Sequence, residues 1–320
     1  MDRYKADNFW EPLFHLVLTF AVIFLTMVGI MMSDNGPWLY LFVVLLALTT
    51  MRLFIIFHDM VHRSYFPTDE RETHKKGFNF YVSHFLQPFV MYSSYRWDNV
   101  HSRHHKIHGN MNEYDGSKTV FTMSEYNHLP YLFQKVYDLV HIPFLFFPLC
   151  SFYVFFFSII LHFDFQFFAL FLFLMYALYQ IGKKKLLFNV ILAMFLAGTI
   201  GVMLFHLQHQ VNESYYRPFD NDDPIEKKNA DLKGSSVLKI PSFLKFFTFG
   251  IEYHNVHHFD PGVPGYNTQK CHEELVQRGL IDDHKVSYIQ SFKSLFHSYY
   301  DDQTQRYVSN SFFKSLGLEA

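Results

Sequence analysis

The sequence predicts an all-α, multi-pass membrane protein: about four transmembrane helices in two hairpins, with a cytoplasmic helical cap carrying a histidine-rich metal site. Three observations predict it. Apolar runs of spanning length recur along the chain. Half of all residues are hydrophobic and 20% are aromatic, with 40 Phe and 21 Tyr, well above soluble usage. Histidine clusters stand where the apolar runs end.

Residues 13–32 form a twenty-residue apolar run, the length a spanning helix requires. Ser33-Asp-Asn-Gly-Pro37 is a turn by composition. Residues 38–57 are a second run, interrupted only by Arg52. The two make a helical hairpin, and two such runs back to back disfavour the competing reading, a buried hairpin of a soluble protein. The connecting loop has no Lys or Arg, so the positive-inside rule puts it outside and lets His58 emerge on the cytoplasmic face.

Residues 63–142 are mixed, with a moderately apolar patch at 78–95 predicted to lie along the interface. Three further apolar stretches follow, at 143–161, 165–181 and 186–205. If all the histidine clusters serve one site, an even number of crossings separates His105 from His209, so the three cannot all span. Pro143 and Pro148 weaken the first as a regular spanning helix. The second hairpin is therefore read as 165–181 plus 186–205, with 143–161 re-entrant or interfacial. Against this, Lys183-Lys-Lys185 prefers the cytoplasm and here falls on the opposite side.

Residues 212–233, including Asp220-Asn-Asp-Asp-Pro224, read as an exposed loop. The region after His258 is soluble in character, with a helix expected around 269–278. No repeat or linker divides residues 1–320, which read as a single domain. The start resembles neither a cleavable signal peptide nor a transit peptide.

A formal charge of −2 gives no reason to expect a nucleic-acid partner. Cys150 and Cys271 are the only cysteines, too few for a disulfide framework or a thiolate metal site. Nitrogen or oxygen ligands remain. His58-Asp-Met-Val-His62, His101-Ser-Arg-His104-His105 and His254-Asn-Val-His257-His258 are spaced by three and four residues, which puts rings on one helix face. Eight imidazoles are too many for one ion, so the pattern argues for two metals. H-E-x-x-H is absent, which disfavours a zinc protease. A carboxylate-bridged bundle needs paired Glu-x-x-His motifs, and Glu125-Tyr-Asn-His128 has no partner. Imidazole suits iron, copper, nickel and zinc alike, so ligand type leaves the metal open.

The three boxes, in this order and after these hairpins, resemble those of the membrane fatty acid desaturases. The resemblance extends to Trp97, four residues before His101, and to Gly198-Thr-Ile-Gly-Val-Met-Leu-Phe-His-Leu-Gln-His-Gln210. It continues through Lys233-Gly-Ser-Ser236, Ile240-Pro241, Phe246-Phe-Thr-Phe-Gly-Ile-Glu-Tyr-His254, Pro261-Gly-Val-Pro-Gly-Tyr-Asn267 and Lys270-Cys-His-Glu-Glu274. It covers most of residues 50–280 and is greatest to the acyl-lipid, Δ12/ω-type branch.

That resemblance implies a di-iron centre (two iron ions, Fe2+/Fe3+) with nine ligands: His58, His62, His101, His104, His105, His209, His254, His257 and His258. His209 enters as the family's isolated ligand. His206 stands where relatives usually carry an aromatic residue and is a candidate neighbour of the metals. The first box lacks the Cys-Gly that relatives often place between its histidines, a change in packing that leaves both imidazoles in place. Asp59 and Glu252 are candidates for orienting ligand rings through their free N–H groups, with solvated surface as the alternative. His108, His128, His141 and His272 read as non-ligands, and His162 as a membrane-boundary residue.

The implied reaction is oxygen-dependent desaturation of a fatty acyl chain to a cis double bond, with O2 as co-substrate. The chain would be carried by a lipid, acyl-CoA or an acyl carrier, in a bacterial inner membrane or endoplasmic reticulum, with the site facing the cytoplasm. No cysteine-rich iron–sulfur motif, His-Pro-Gly-Gly haem signature or Gly-x-Gly-x-x-Gly loop occurs, so a separate ferredoxin or cytochrome b5 is the expected electron donor. Lys183-Lys-Lys185 and Lys227-Lys228 are candidate donor docks, or simply solvated charge runs. Hydroxylation, acetylenation and carotenoid ketolase-type oxidation remain alternatives on the same scaffold. A metal-binding transporter or sensor would need ionisable residues within the spans, which are almost free of them.

Overall fold

The computed structural model describes residues 1–68, 76–113, 120–161, 163–212 and 214–317; His162 lies outside the described residues. Helix α1 (Trp10–Met32) and helix α2 (Pro37–Val61) pack along each other. Gly29 lets them approach, because a Cβ there would lie 2.6 Å from the Phe42 ring. The hydroxyls of Thr19 and Thr26 donate to carbonyls of their own helix, leaving neither polar group unpaired in an apolar element. Helix α2 is the centre of the core, burying Leu46, Met51, Leu53, Ile56 and Phe57.

Helix α3 (Phe78–Val90) exposes Tyr81 and Phe85, and helix α4 (Ser94–Ile107), N-capped by Ser93, carries the second box. Helix α5 (Tyr131–Val140) leads to α6 (Pro143–Ser151) and a π-helical turn at Phe152–Phe157. The axes of these two segments differ by 85°. Ile142, which precedes Pro143, is extended, as a residue before proline prefers, and this breaks the helix. The bend therefore falls just before stretch 143–161, whose residues Pro143–Phe157 run on as one helix. Helix α6 lies against the next long helix, where Ser151 Oγ donates to the Phe195 carbonyl.

That helix, α7 (Phe165–His209), has 45 residues, about 67 Å of rise against a bilayer core of about 30 Å. It is broken at Lys183, whose φ of 52° and ψ of −150° are not helical. Contacts at three points show that it doubles back. Asp164, its N-cap, accepts from Ser93 Oγ at 2.5 Å, at the N-terminus of the helix that carries the second box. Lys185 Nζ donates to the Ser33 carbonyl in the α1–α2 connection. His209, at the other end, meets the His104 ring. Gly182 permits the reversal, since a Cβ there would fall 2.2 Å from Leu186 Cβ. The break at Lys183 falls between the apolar stretches 165–181 and 186–205. The lysine triplet sits with the α1–α2 connection, away from the histidines.

Two segments depart from expectation. Residues 212–233, read as a loop, contain helix α8 (Pro224–Lys233); Asp223 caps it through its carboxylate and Pro224 occupies its first turn. The chain is mostly helical but not all-α. Strands β1 (Phe121–Thr122), β2 (His297–Asp301) and β3 (Arg306–Ser309) form a small sheet, parallel between β1 and β2 and antiparallel between β2 and β3. Tyr299, Tyr300, Tyr307 and Val308 favour strands, and Gln305, at φ 54°, closes the turn between β2 and β3. Helix α9 (His254–Phe259) holds the third box, and helix α10 (Gly265–Gln277) follows, overlapping the helix expected at 269–278.

Candidate metal centre

Each box owes its direction to helix geometry. His58 lies in the last turn of α2 and His62 caps it; His101, His104 and His105 ride the C-terminal half of α4; His209 ends α7. The nine rings gather into two groups, His58, His62, His101, His105 and His257 in one, and His104, His209, His254 and His258 in the other. In each, one nitrogen per ring lies within 4.8 Å of all the others. Pairs four residues apart stay together, as 58/62, 101/105 and 254/258 do, because such positions share a helix face. His104 and His257, one position off those pairs, cross to the other group.

The nitrogens that meet are Nε2 atoms. In the first group His58 and His101 are 2.8 Å apart, His101 and His105 3.1 Å, and His105 and His257 2.9 Å. In the second, His104 and His258 are 3.2 Å apart, His254 and His258 3.2 Å, and His209 and His254 3.1 Å. A neutral Nε2 carries either one proton or one lone pair, so His101, facing two other Nε2 atoms, cannot bond well to both. The buried Nε2 of His62 has no hydrogen-bond partner among the described residues. Convergent lone pairs of this kind fit a cation in each group.

Burial, then the charge of neighbouring groups, holds His62, His101, His105, His254, His257 and His258 well below the ordinary imidazole range. They are therefore neutral, the form that binds metal.

Asp59 meets the ring of His58 from behind. His58 Nδ1–H donates to its Oδ1 at 3.0 Å, which leaves the Nε2 lone pair facing the group. Its Oδ2 accepts from the Gly265 N–H at 2.7 Å. That contact is reached through a close backbone crossing: a Cβ on Gly250 would lie 2.0 Å from the Gly265 carbonyl oxygen. Gly250 also has φ +85°, so glycine is required twice over.

Other expectations fare differently. Glu252 is buried, but its Oε2 has no hydrogen-bond partner among the described residues, so it orients no ring through that oxygen. His206 lies outside both groups and bonds the Ser294 carbonyl at 2.9 Å, its ring edge-on to Phe147. His128, His141 and His272 bond Ser124, Tyr137 and Asp283, away from the centre.

His108 is outside both groups yet packs directly on them, its ring 4.0 Å from His258 and 4.8 Å from His209. Its spacing of four from His104 is the signal that was available in the sequence. Trp97 stacks on His101 at 4.6 Å and 20°. Lys227 donates to the His105 carbonyl at 2.8 Å and pairs with Asp231, so it is a strut under the second box. The Lys183–185 triplet lies at the far end of the helices, too far from the rings to dock a donor beside them.

The family model for fatty acid desaturases matches residues 35–292. This chain belongs to the fatty acid desaturase family. It is 27% identical over 272 residues to a fatty acid desaturase of Bacillus subtilis, a match covering 81% of this chain and 73% of the relative. It is 26% identical over 274 residues to an sn-1 oleoyl-lipid 12-desaturase of Picosynechococcus sp., covering 76% of this chain and 71% of the relative. The desaturase is thus an oxidoreductase acting on a fatty acyl chain. Its helices agree with a membrane protein, three of them among the described residues being long and apolar enough to cross a bilayer.

Proposed function

We propose that this desaturase uses O2, two iron ions and electrons from a separate ferredoxin or cytochrome b5 to place a cis double bond at the Δ12 position of a lipid-borne acyl chain. The observation that carries the reading is the convergence of nine histidines, seven of them buried and His62 and His105 partly so, into two groups at the ends of apolar helices. Nine imidazole nitrogens suit iron, copper, nickel and zinc alike, so the choice of iron rests on the family and on the oxygen-dependent reaction it implies.

When bound, the iron pair supplies the dioxygen chemistry that takes one hydrogen from each of two adjacent methylenes. The overall balance is one –CH2–CH2– unit, O2, two electrons and two protons giving –CH=CH– and two waters. The chain's own residues do the rest. Asp59 keeps His58 in the tautomer whose Nε2 is free to bind, and Trp97 covers His101 with an apolar face. Burial of the groups keeps bulk water from the reacting carbons. A site at helix ends lets the acyl chain approach from the bilayer. In this reading the histidine end faces the cytoplasm, and the α1–α2 connection and lysine triplet face outward. The Δ12 position rests on the sequence resemblance and on the named activity of the Picosynechococcus relative.

The test is expression in a host that makes no polyunsaturated lipid, followed by mass spectrometry of its fatty acids. A new diunsaturated chain with its second double bond at carbon 12 is expected, and it must vanish in His104→Ala. A new hydroxyl without a new double bond overturns the reaction, and product surviving in His104→Ala overturns the site.

A further inference from the structure

Arg52 is a cation inside an apolar helix, and the metal centre leaves it unused. Its side chain is buried, and among the described residues no carboxylate lies within ion-pair reach of it. Ionisable residues at such positions are costly and are kept for a purpose. Its partners define the purpose. Nε donates to Thr19 Oγ1 of α1 at 2.9 Å, Nη2 lies 3.3 Å from His15 Nδ1, and Nη1 donates to the Phe246 carbonyl. The guanidinium also sits 4.2 Å from the ring centres of both Phe246 and Phe249.

We propose that Arg52 is a positioning residue that registers the third histidine box against the first; the inference rests on the metal reading above. Phe249 has φ 49° and Gly250 φ 85°, two successive left-handed residues five and four positions before His254. A bulky residue rarely holds that conformation unless its surroundings impose it. Arg52 imposes it by gripping the Phe246 carbonyl and the Phe249 ring together.

Seven residues further along the same face of α2, Asp59 grips the same backbone crossing through Gly265. One helix thus holds the approach to the third box at two points, with a cation at one and a carboxylate at the other. Lysine cannot replace arginine here, because a single ammonium lacks the planar fork that reaches three acceptors and stacks between two rings.

The experiment is titration of metal-free protein in detergent with Co2+ alone, reading stoichiometry, affinity and visible absorption bands. Wild type is expected to take two ions. Arg52→Met and Arg52→Lys are each expected to bind about tenfold more weakly with shifted bands, the range typical of residues supporting ligands from behind. Thr19→Val, which loosens only the tie to α1, should stay within about twofold of wild type. If Arg52→Met does not fold, Arg52→Lys decides. Wild-type stoichiometry, affinity and bands in the folded Arg52 variants overturn the inference, even where the melting temperature falls. Failure of wild type to bind Co2+ overturns the metal reading instead.

Discussion

Replacing Asp59 with asparagine changes one atom, but the geometry makes it consequential. The carboxylate accepts two N–H bonds, from His58 Nδ1 at 3.0 Å and from Gly265 N at 2.7 Å. Asparagine can accept only one of them with its oxygen. Its amide nitrogen must then face the other as a donor. If that nitrogen faces Gly265, two donors collide in a buried site; if it faces His58, the ring must shift its proton from Nδ1 to Nε2. The second outcome removes the lone pair that points into the first histidine group.

Losing a hydrogen bond to a charged buried group costs about 1.5–3 kcal/mol. Loss of support for a ligating histidine typically weakens metal binding by about 10–100-fold, or about 1.4–2.7 kcal/mol. Asp59→Asn should therefore bind metal at least tenfold more weakly, with desaturation falling in parallel at limiting metal. Metal content by elemental analysis, alongside fatty-acid profiling, measures both. An Asp59→Asn protein that binds two metal ions with wild-type affinity would falsify the tautomer argument.

A second prediction concerns acid. Six of the ring-bearing residues outside the long helices have imidazoles held well below the ordinary value of 6.5. The unfolded chain takes up their protons below that pH while the folded chain does not, so metal-free protein loses stability as pH falls from about 6.5, by up to about 1.4 kcal/mol per unit for each group. Melting of metal-free protein at pH 7.5 and 5.5 checks the sign, and equal melting temperatures would contradict it. A third concerns topology. Single cysteines placed at Ser33 and Lys184 should react with an impermeant thiol reagent from one side of the membrane, and one placed at Asp222 only from the other. Labelling of Lys184→Cys and Asp222→Cys from the same side would break the doubled-back path of the long helix.

Much of the centre was legible in the sequence because helical spacing is a strong constraint. Residues four apart share a face, so the pairs 58/62, 101/105 and 254/258 had to stay together whatever the tertiary fold. Counting crossings from the need to unite His105 with His209 led to the reversal within residues 165–209, although the lysines argued against it. The sheet was not legible, because β1 and β2 are distant in sequence and their pairing depends on packing. The acidic residues around Asp222 read as loop, although Asp223-Pro224 is a helix start and begins α8. Glu252 and His108 show the limit of neighbour-based reasoning: closeness in sequence to a box did not say which way either side chain would turn. Arg52 looks like a blemish in a hydrophobic run because one of its partners, the Phe246 carbonyl, lies almost two hundred residues away in the chain on a backbone whose path only the fold reveals.

The crossing-over of His104 and His257 has a mechanical consequence. Neither α4 nor α9 serves a single histidine group; each reaches into both. Rotating either helix to loosen one group would drag a ring out of the other as well. The two groups behave like paired gears on shared axles, so the distance between them is set by helix rotation and not by any one side chain. An enzyme built this way cannot trade one half of its centre independently of the other, and substitutions that tune it must move both together.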